Sequence, residues 1–483
     1  MLDSTPDLAH REQLLEVIRF VDVNFKTKKV TIKESFLGFI QLHAKDAATL
    51  ENVIVEQLQA DNLPIADCRS QCYDNAAVMA GELSGLQQRI AIRNPQASFV
   101  NCNNHSLNLA GLNAAKQDPV VVTFFGTVEK IYVFFSASTV RWEKMKELLG
   151  ITLKRECPTC WSARQDVVNA IHEQFDGFLQ LLENLYEDGT QTSETQNDAY
   201  SLLQNVMNFN FITLLNFWHA VLSKIDRIKK RLQDPSMNFH DAALDLEGLQ
   251  QRLSSIREDV CITAVNAAKV LCEKLGIRIE GRIKRRKQMP GENAGDAVEE
   301  ITRIMKSVID RLIQEMTTRF GRLKTLDEKF GFLFNISKLF ANDTSNDIQQ
   351  HCATLADFYK TDIDGTELFV EISDCSMLLK IRPDATPSSP LELLSFIISY
   401  GNDIFPNLRI ALQIMLTISV SVASCERSFS KLKIISTYLR ASMGQERLSD
   451  LALLSIEKEL VEIINFDDVI DNFASARSRK VVL

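Results

Sequence analysis

Apolar and polar residues alternate at the front of the chain. Val21, Val23 and Phe25 are separated by Asp22 and Asn24, and this period of two predicts a strand over Leu15 to Phe25. A second strand is predicted over Val30 to Leu42, and the polar turn Lys26-Thr27-Lys28-Lys29 joins the two as an antiparallel hairpin. Leu50, Ile54 and Leu58 share one face of a helix predicted over Ala47 to Leu58. A strand over Ile65 to Asp74, a helix from about Ala76 to Ile92, a strand over Ser98 to Cys102 and a helix after Asn104 follow. This order suits a mixed sheet with helices packed on it.

The period changes near Gln165. Val168, Ile171, Phe175, Phe178 and Leu182 recur at helical spacing, and further helices are predicted over Tyr200 to Leu232, Ala243 to Leu275, Ala297 to Phe320 and Leu326 to Phe340. The polar runs Asp188 to Asn197 and Gln288 to Asp296 read as exposed loops. Pro383, Pro387 and Pro390 close the helical block. Beyond them, Ile410 to Ala423 is the longest apolar stretch and reads as a buried helix, too short and too interrupted for a membrane span. Val422, Cys425, Phe429 and Leu432 form a narrow apolar seam suited to a partner helix, and another helix is expected from about Gln445 to Ile464. The expected organisation is an α/β part over 1–164, a helical block over 165–385 and a helical C-terminal segment over 386–483.

With 483 residues, 45% of them hydrophobic, the chain can bury a large core without disulfide staples. Its net charge of −9 excludes a protein that coats nucleic acid through its overall field, so any DNA contact must be local. The basic cluster Arg282, Lys284, Arg285, Arg286 and Lys287 is the one candidate patch, as a solvated helix end, a nuclear-import signal or a DNA-backbone contact. Ten cysteines lie without framework spacing and no signal peptide is apparent, which points to reduced thiols in a cytosolic or nuclear protein.

Three acids are candidates for chemistry. Asp3 sits in Leu2-Asp3-Ser4-Thr5-Pro6-Asp7, Asp74 ends a predicted strand, and Glu426 lies on a late helix. Each alone reads as a cap or turn residue. Brought together they would offer hard oxygen ligands for Mg²⁺ or Mn²⁺, and two such ions can activate a water or a 3′-hydroxyl against a phosphodiester.

The blocks around these acids resemble the core of hAT-family transposases, particularly the hAT-derived proteins of zinc finger MYM-type. Leu2-Asp3-Ser4-Thr5-Pro6-Asp7 is similar to the first catalytic block, and Tyr73-Asp74-Asn75-Ala76-Ala77-Val78-Met79-Ala80-Gly81 to the second. Cys102-Asn103-Asn104-His105 is similar to a CxxH block, Thr159-Cys160-Trp161-Ser162-Ala163-Arg164 to a Thr-Arg-Trp block, and Glu426-Arg427-Ser428-Phe429-Ser430 to the C-terminal dimerisation region. The resemblance implies a ribonuclease-H-like fold split by a helical insertion, and an Asp-Asp-Glu triad at Asp3, Asp74 and Glu426 that would hold Mg²⁺ or Mn²⁺. It implies that Cys102, His105 and Trp161 line a DNA-end site, the Trp stacking near an unpaired base. It also implies self-association through the seam at Val422, Cys425, Phe429 and Leu432.

The departures bear on activity. Ser70 and Cys72 stand where the family has Gly, and Cys160 where it has Arg. Only Met1 and Leu2 precede Asp3, so the strand that holds the first acid is expected to be nearly absent. No zinc finger precedes it in this sequence, and zinc at Cys102, His105, Cys157 and Cys160 is not expected. The leading expectation is a nuclear, self-associating, transposase-derived protein with impaired or no transposition. The alternatives are an active Mg²⁺-dependent transposase and a chromatin- or transcription-linked binding module. DNA is a possible partner; a membrane is not expected.

Overall fold

The computed structural model describes residues 1–154, 161–279, 296–340, 345–382, 387–401, 403–436 and 443–475. The chain divides into two compact units, one from Met1–Cys102 with Lys329–Leu483 and the other Asn103–Glu328. The helical segment is thus inserted in sequence between two parts of one unit. The divisions fall at 102 and 328, against the expected 164 and 385, because the helices that follow Asn103 pack with the helical unit.

The first unit carries β1 (Leu2–Pro6), β2 (Glu12–Asn24) and β3 (Lys29–Leu42) in an antiparallel sheet of that order, and β4 (Ser70–Tyr73) paired in parallel with β5 (Ser98–Asn101). The hairpin expected from the alternation is present, with Val23 opposite Val30. The strand around Asp3 is also present, contrary to expectation. It is a five-residue strand that extends beyond the acid to Pro6, so Asp3 is its second residue. β1 ends β2's buried stretch: Gln13 to Val17 are buried where β1 covers them, whereas Ile18 to Asn24 are not.

Leu2, Leu14 and Leu42 of the sheet pack with Leu50, Ile54 and Leu58 of α1 (Ala47–Ala60) and with Leu86 and Ile90 of the helix Leu86–Arg93. Asp46 caps α1 by accepting the N–H groups of Ala48 and Thr49. The single helix expected from Ala76 to Ile92 is divided into Ala77–Ala80 and Leu86–Arg93. Gly81 and Gly85 meet backbone to backbone there, and a Cβ on Gly85 would lie 2.5 Å from the Gly81 nitrogen.

The outer edge of β3 is covered by the C-terminal segment. The Phe39 N–H donates to Ser449 Oγ at 3.1 Å, the Phe36 N–H to Glu457 Oε1 at 2.6 Å, and Gln445 Nε2 to the Phe39 carbonyl at 2.8 Å. Gly38 permits this approach, since a Cβ there would meet Ser449 Oγ at 2.8 Å. An exposed strand edge is thereby closed. The helix expected from Gln445 to Ile464 is interrupted, running over Gln445–Ile456 and then Lys458–Val461.

The stretch Ile410 to Ala423 is not one helix. The helix Pro406–Thr417 stops, and the next begins at Ala423. Thr417, Ile418, Val420 and Val422 are β-branched, and Ser419 Oγ donates to the Ser421 carbonyl at 2.7 Å, a local bond that competes with helix.

The second unit is helical throughout its described residues, around Phe209–Leu232, whose Trp218 is fully buried 5.1 Å from Phe125. Among the described residues one helix, Pro119–Ser136, is long and apolar enough to cross a membrane. Val121, Phe124, Phe125, Val128, Ile131 and Phe135 bury one face of it inside this unit, which accounts for its composition as a core helix.

Candidate functional site

Asp3, Asp74 and Glu426 all fall in the first unit. Asp3 projects from β1, Asp74 follows the last residue of β4, and Glu426 occupies the first turn of the helix Ala423–Ile435. All three are half-buried. The Asp74 carboxylate accepts the Ala76 N–H at 3.1 Å, and that of Asp3 accepts the Ser4 N–H at 2.9 Å.

These acids sense one another. Burial pushes the Asp3 carboxyl up to about 7 from an ordinary 3.8. The Ser4 N–H opposes that rise, and the nearby charges of Asp74, Glu426 and Glu12 add to it. Three residues more than 70 positions apart in sequence are therefore within Coulombic reach, in keeping with a shared site.

Beneath the acids lies a group that the sequence did not disclose. Cys72, Cys102 and Cys425 are fully buried, and the Cys72 and Cys425 thiols are held above the ordinary value, by burial first and with Cys102 adding to the rise. Cys102 Sγ also accepts the Val422 N–H at 3.5 Å. Cys102, expected at a DNA-end site, is fully buried beside Val422. His105 is half-buried on the helix Asn103–Lys116, which opens the second unit. Trp161 begins the helix Trp161–Glu173, and its side chain, like Cys157, Cys160 and the cluster Arg282, Lys284, Arg285, Arg286 and Lys287, lies outside the described residues.

Glu34 also escaped sequence reading. Directly opposite Arg19 in the β2–β3 register, it binds the Arg19 guanidinium at 2.6 Å. It also bonds to Ser424 Oγ and lies 3.8 Å from Arg427, and so anchors the start of the Glu426 helix to the sheet. In sequence it sits beside Lys33 in a mixed strand and nothing sets it apart; its role appears only with the register.

The seam expected to meet a partner is occupied internally. Val422, Cys425, Phe429 and Leu432 are all buried, and the Phe429 ring stacks on Phe39 of β3 at 5.9 Å. Its three-and-four spacing reports packing on the chain's own sheet. The apolar surface left open lies further on. Leu453, Leu454 and Leu460 are exposed, Ile463 is 79% exposed, and the helix Asp467–Ser475 carries Val469, Ile470 and Phe473 with no residue buried.

Residues 374–460 match the hAT family C-terminal dimerisation region, and residues 1–85 match the family described as ZMYM1/FAM200, RNase-like domain. The two ends of the chain are thus similar to hAT-family domains. Asp3 and Asp74 fall within the N-terminal match and Glu426 within the C-terminal one, and both matches belong to the first unit. The chain is similar to the 52 kDa repressor of the inhibitor of the protein kinase of Homo sapiens and of Mus musculus, each 24% identical over 510 residues that take in 99% of this chain. The chain spans 64% of the length of these relatives.

In donor chemistry and in charge the three acids suit a hard divalent cation. Among the described residues no group of three or more His, Cys, Asp or Glu side chains is arranged to hold a metal ion.

Proposed function

We propose that this is a hAT-derived nuclear protein that self-associates through its C-terminal region and does not carry out transposition. Its first unit is read as a ribonuclease-H-like core. The antiparallel β1–β2–β3 sheet, the parallel β4–β5 pair and the RNase-like match over 1–85 support that reading. The observation that carries the functional reading is the run of exposed apolar side chains from Leu453 to Phe473, which begins inside the matched dimerisation region and continues past it. Contiguous exposed apolar surface marks an interaction site, and a second copy meeting the same face closes it by two-fold symmetry. The interface thus lies on this face, and the Val422–Leu432 seam supports it from within.

Two differently tagged copies are expected to capture each other. Ile463→Asp combined with Ile470→Asp is expected to abolish capture and leave the melting temperature unchanged, because both side chains are largely exposed. Capture that survives both substitutions would remove the face from the account.

The reading of lost transposition is supported by the lack, among the described residues, of a three-ligand group arranged to hold a metal ion, since positioning supplies most of such catalysis. Wild type, Asp74→Ala and Glu426→Ala are expected to give the same background nicking of DNA ends in Mn²⁺ or Mg²⁺. Nicking by wild type that both substitutions remove would instead establish an active enzyme, the reading that the Coulombic grouping of the acids favours. The relatives are named as repressors, and a regulatory role comes to this chain as part of the same proposal.

A further inference from the structure

In the second unit the helix Phe209–Leu232 turns back through residues 233–238 into the helix Phe239–Ser255. A connection that short makes the two antiparallel neighbours, and one contact fixes their register. Arg231 Nε donates to Asp245 Oδ2 at 2.5 Å. Two helical turns back from Arg231 stands Lys224, and two turns on from Asp245 stands Arg252. Midway, Arg227 stands opposite Gly248. Lys224, Arg227 and Arg231 therefore form one row, faced by Arg252, Gly248 and Asp245.

The three rungs are unequal. Arg231 and Asp245 form an ion pair. The next rung sets a guanidinium against a glycine, where an added Cβ would meet nothing within 4 Å. The last sets a lysine against an arginine. Among the described residues Lys224, Arg227 and Arg252 have no carboxylate partner. No acid lies three or four positions from any of them along its own helix.

Arg227, Gly248 and Arg252 are exposed, whereas Lys224 is half-buried. The Lys224 ammonium donates to the Ala220 carbonyl of its own helix at 3.1 Å. Burial holds that ammonium below its ordinary 10.5, and the charges of Arg252 and then Arg227 lower it further. The three cations thus sense one another, as the register requires.

Like charges gathered without a counter-charge repel, and the open space at Gly248 can hold one. We propose that this notch binds a compact phosphate-bearing anion of the pyrophosphate type. Arg227 and Arg252 supply planar forks of donors for its oxygens, and Lys224 supplies a point charge. The surroundings favour a compact anion over a nucleic-acid strand. At one end Lys230 is bound to Asp226 at 2.7 Å, beside the Arg231–Asp245 pair. Past the other end Arg257 is held by Asp310 at 2.7 Å and by Glu258 at 2.6 Å. The unpaired positive row therefore stops within about two turns, whereas a nucleic-acid backbone is held by a longer series of phosphate contacts.

Calorimetric titration of the full chain with inorganic pyrophosphate tests the assignment. Binding at one site is expected, weakening as NaCl rises, because the cations are solvent-accessible. Arg227→Gln and Arg252→Gln are each expected to weaken it about tenfold or more, the worth of one charge-assisted hydrogen bond. Gly248→Glu places a carboxylate opposite Arg227 and is expected to abolish it. A second readout separates a binding cation from a structural one. In anion-free buffer Arg252→Gln is expected to raise the melting temperature, because it relieves repulsion. Gly248→Glu is expected to raise it beyond Gly248→Ala, which improves the helix without adding charge. The arginine side chains are exposed, so their variants carry the test even if Gly248→Glu fails to fold. Wild type that does not bind millimolar pyrophosphate overturns the proposal. So does affinity unchanged in both arginine variants, which would move the anion elsewhere on the chain, or a lower melting temperature for Arg252→Gln without anion. Duplex DNA that binds through the same arginines where pyrophosphate fails would make the notch a nucleic-acid contact and likewise overturn it.

Discussion

Glu371→Ala is expected to destabilise the first unit by about 2–4 kcal/mol, from the loss of charge-assisted hydrogen bonds and the exposure of unpaired donors. Glu371, on the helix Gly365–Ile381, is buried. Its carboxylate accepts the Asn407 N–H at 3.0 Å, Asn407 Nδ2 at 2.8 Å and the Leu408 N–H at 2.7 Å. These are first-turn groups of the helix Pro406–Thr417, whose own cap residue Phe405 offers no side-chain acceptor. A tertiary carboxylate therefore replaces the missing local cap and faces the positive end of the helix dipole. Alanine leaves those N–H groups buried and unpaired. At about 2–4 °C per kcal/mol for a unit of this size, the melting temperature should fall by roughly 5–15 °C. Glu371→Gln keeps one carbonyl acceptor and should recover part of the loss. The consequence reaches the acid site, because the same helix packs on β2. A fall of less than about 2 °C, under one hydrogen bond's worth of stability, would show that the cap contributes little.

Glu16 produces the second large effect, with the opposite sign. Burial pushes its carboxyl up to about 7 from 4.5; the nearby amino terminus opposes the rise and Asp61 adds to it. A carboxyl raised by folding is bound to its proton more tightly in the folded state. Its contribution to stability is then fully present below pH 4.5 and is lost as pH rises through about 7. At about 1.4 kcal/mol for each tenfold change in proton affinity, the loss is on the order of 3 kcal/mol. Glu16→Gln should remove this pH dependence and make the protein more stable than wild type at pH 8, by about 2–3 kcal/mol. Denaturant melts of both proteins at pH 5 and pH 8 check it, read as the difference between the two so that shared carboxylates cancel. Equal pH dependence in wild type and variant would contradict the assignment.

The sequence disclosed local period well and long-range placement poorly. Val21, Asp22, Val23 and Asn24 alternate, and the hairpin they predict is there because alternation is a property of one strand. The strand expected over Ile65 to Asp74 is shorter, Ser70–Tyr73, with a 3-10 turn at Ile65–Asp67 before it and Asp74 just past its end. Asp3 departs from expectation in one respect. Its strand extends on the far side of the acid, through Ser4, Thr5 and Pro6, a polar run with no strand signature, stabilised by pairing with β2. The Val422–Leu432 seam shows the limit of periodicity: spacing reports that one helix face is apolar and leaves open what covers it. Phe39 covers it here. Glu34, the thiols of Cys72, Cys102 and Cys425, and the Glu371 cap each join residues distant in the chain, and such contacts leave no mark on a single stretch of sequence.

Self-association through the C-terminal face is the central claim, and light scattering on the purified chain at micromolar concentration tests it most directly. A mass near twice the 54.6 kDa of one chain is expected, falling to that of one chain when Ile463, Ile470 and Phe473 are all replaced by Asp. A wild-type protein that remains a monomer across the micromolar range contradicts the account.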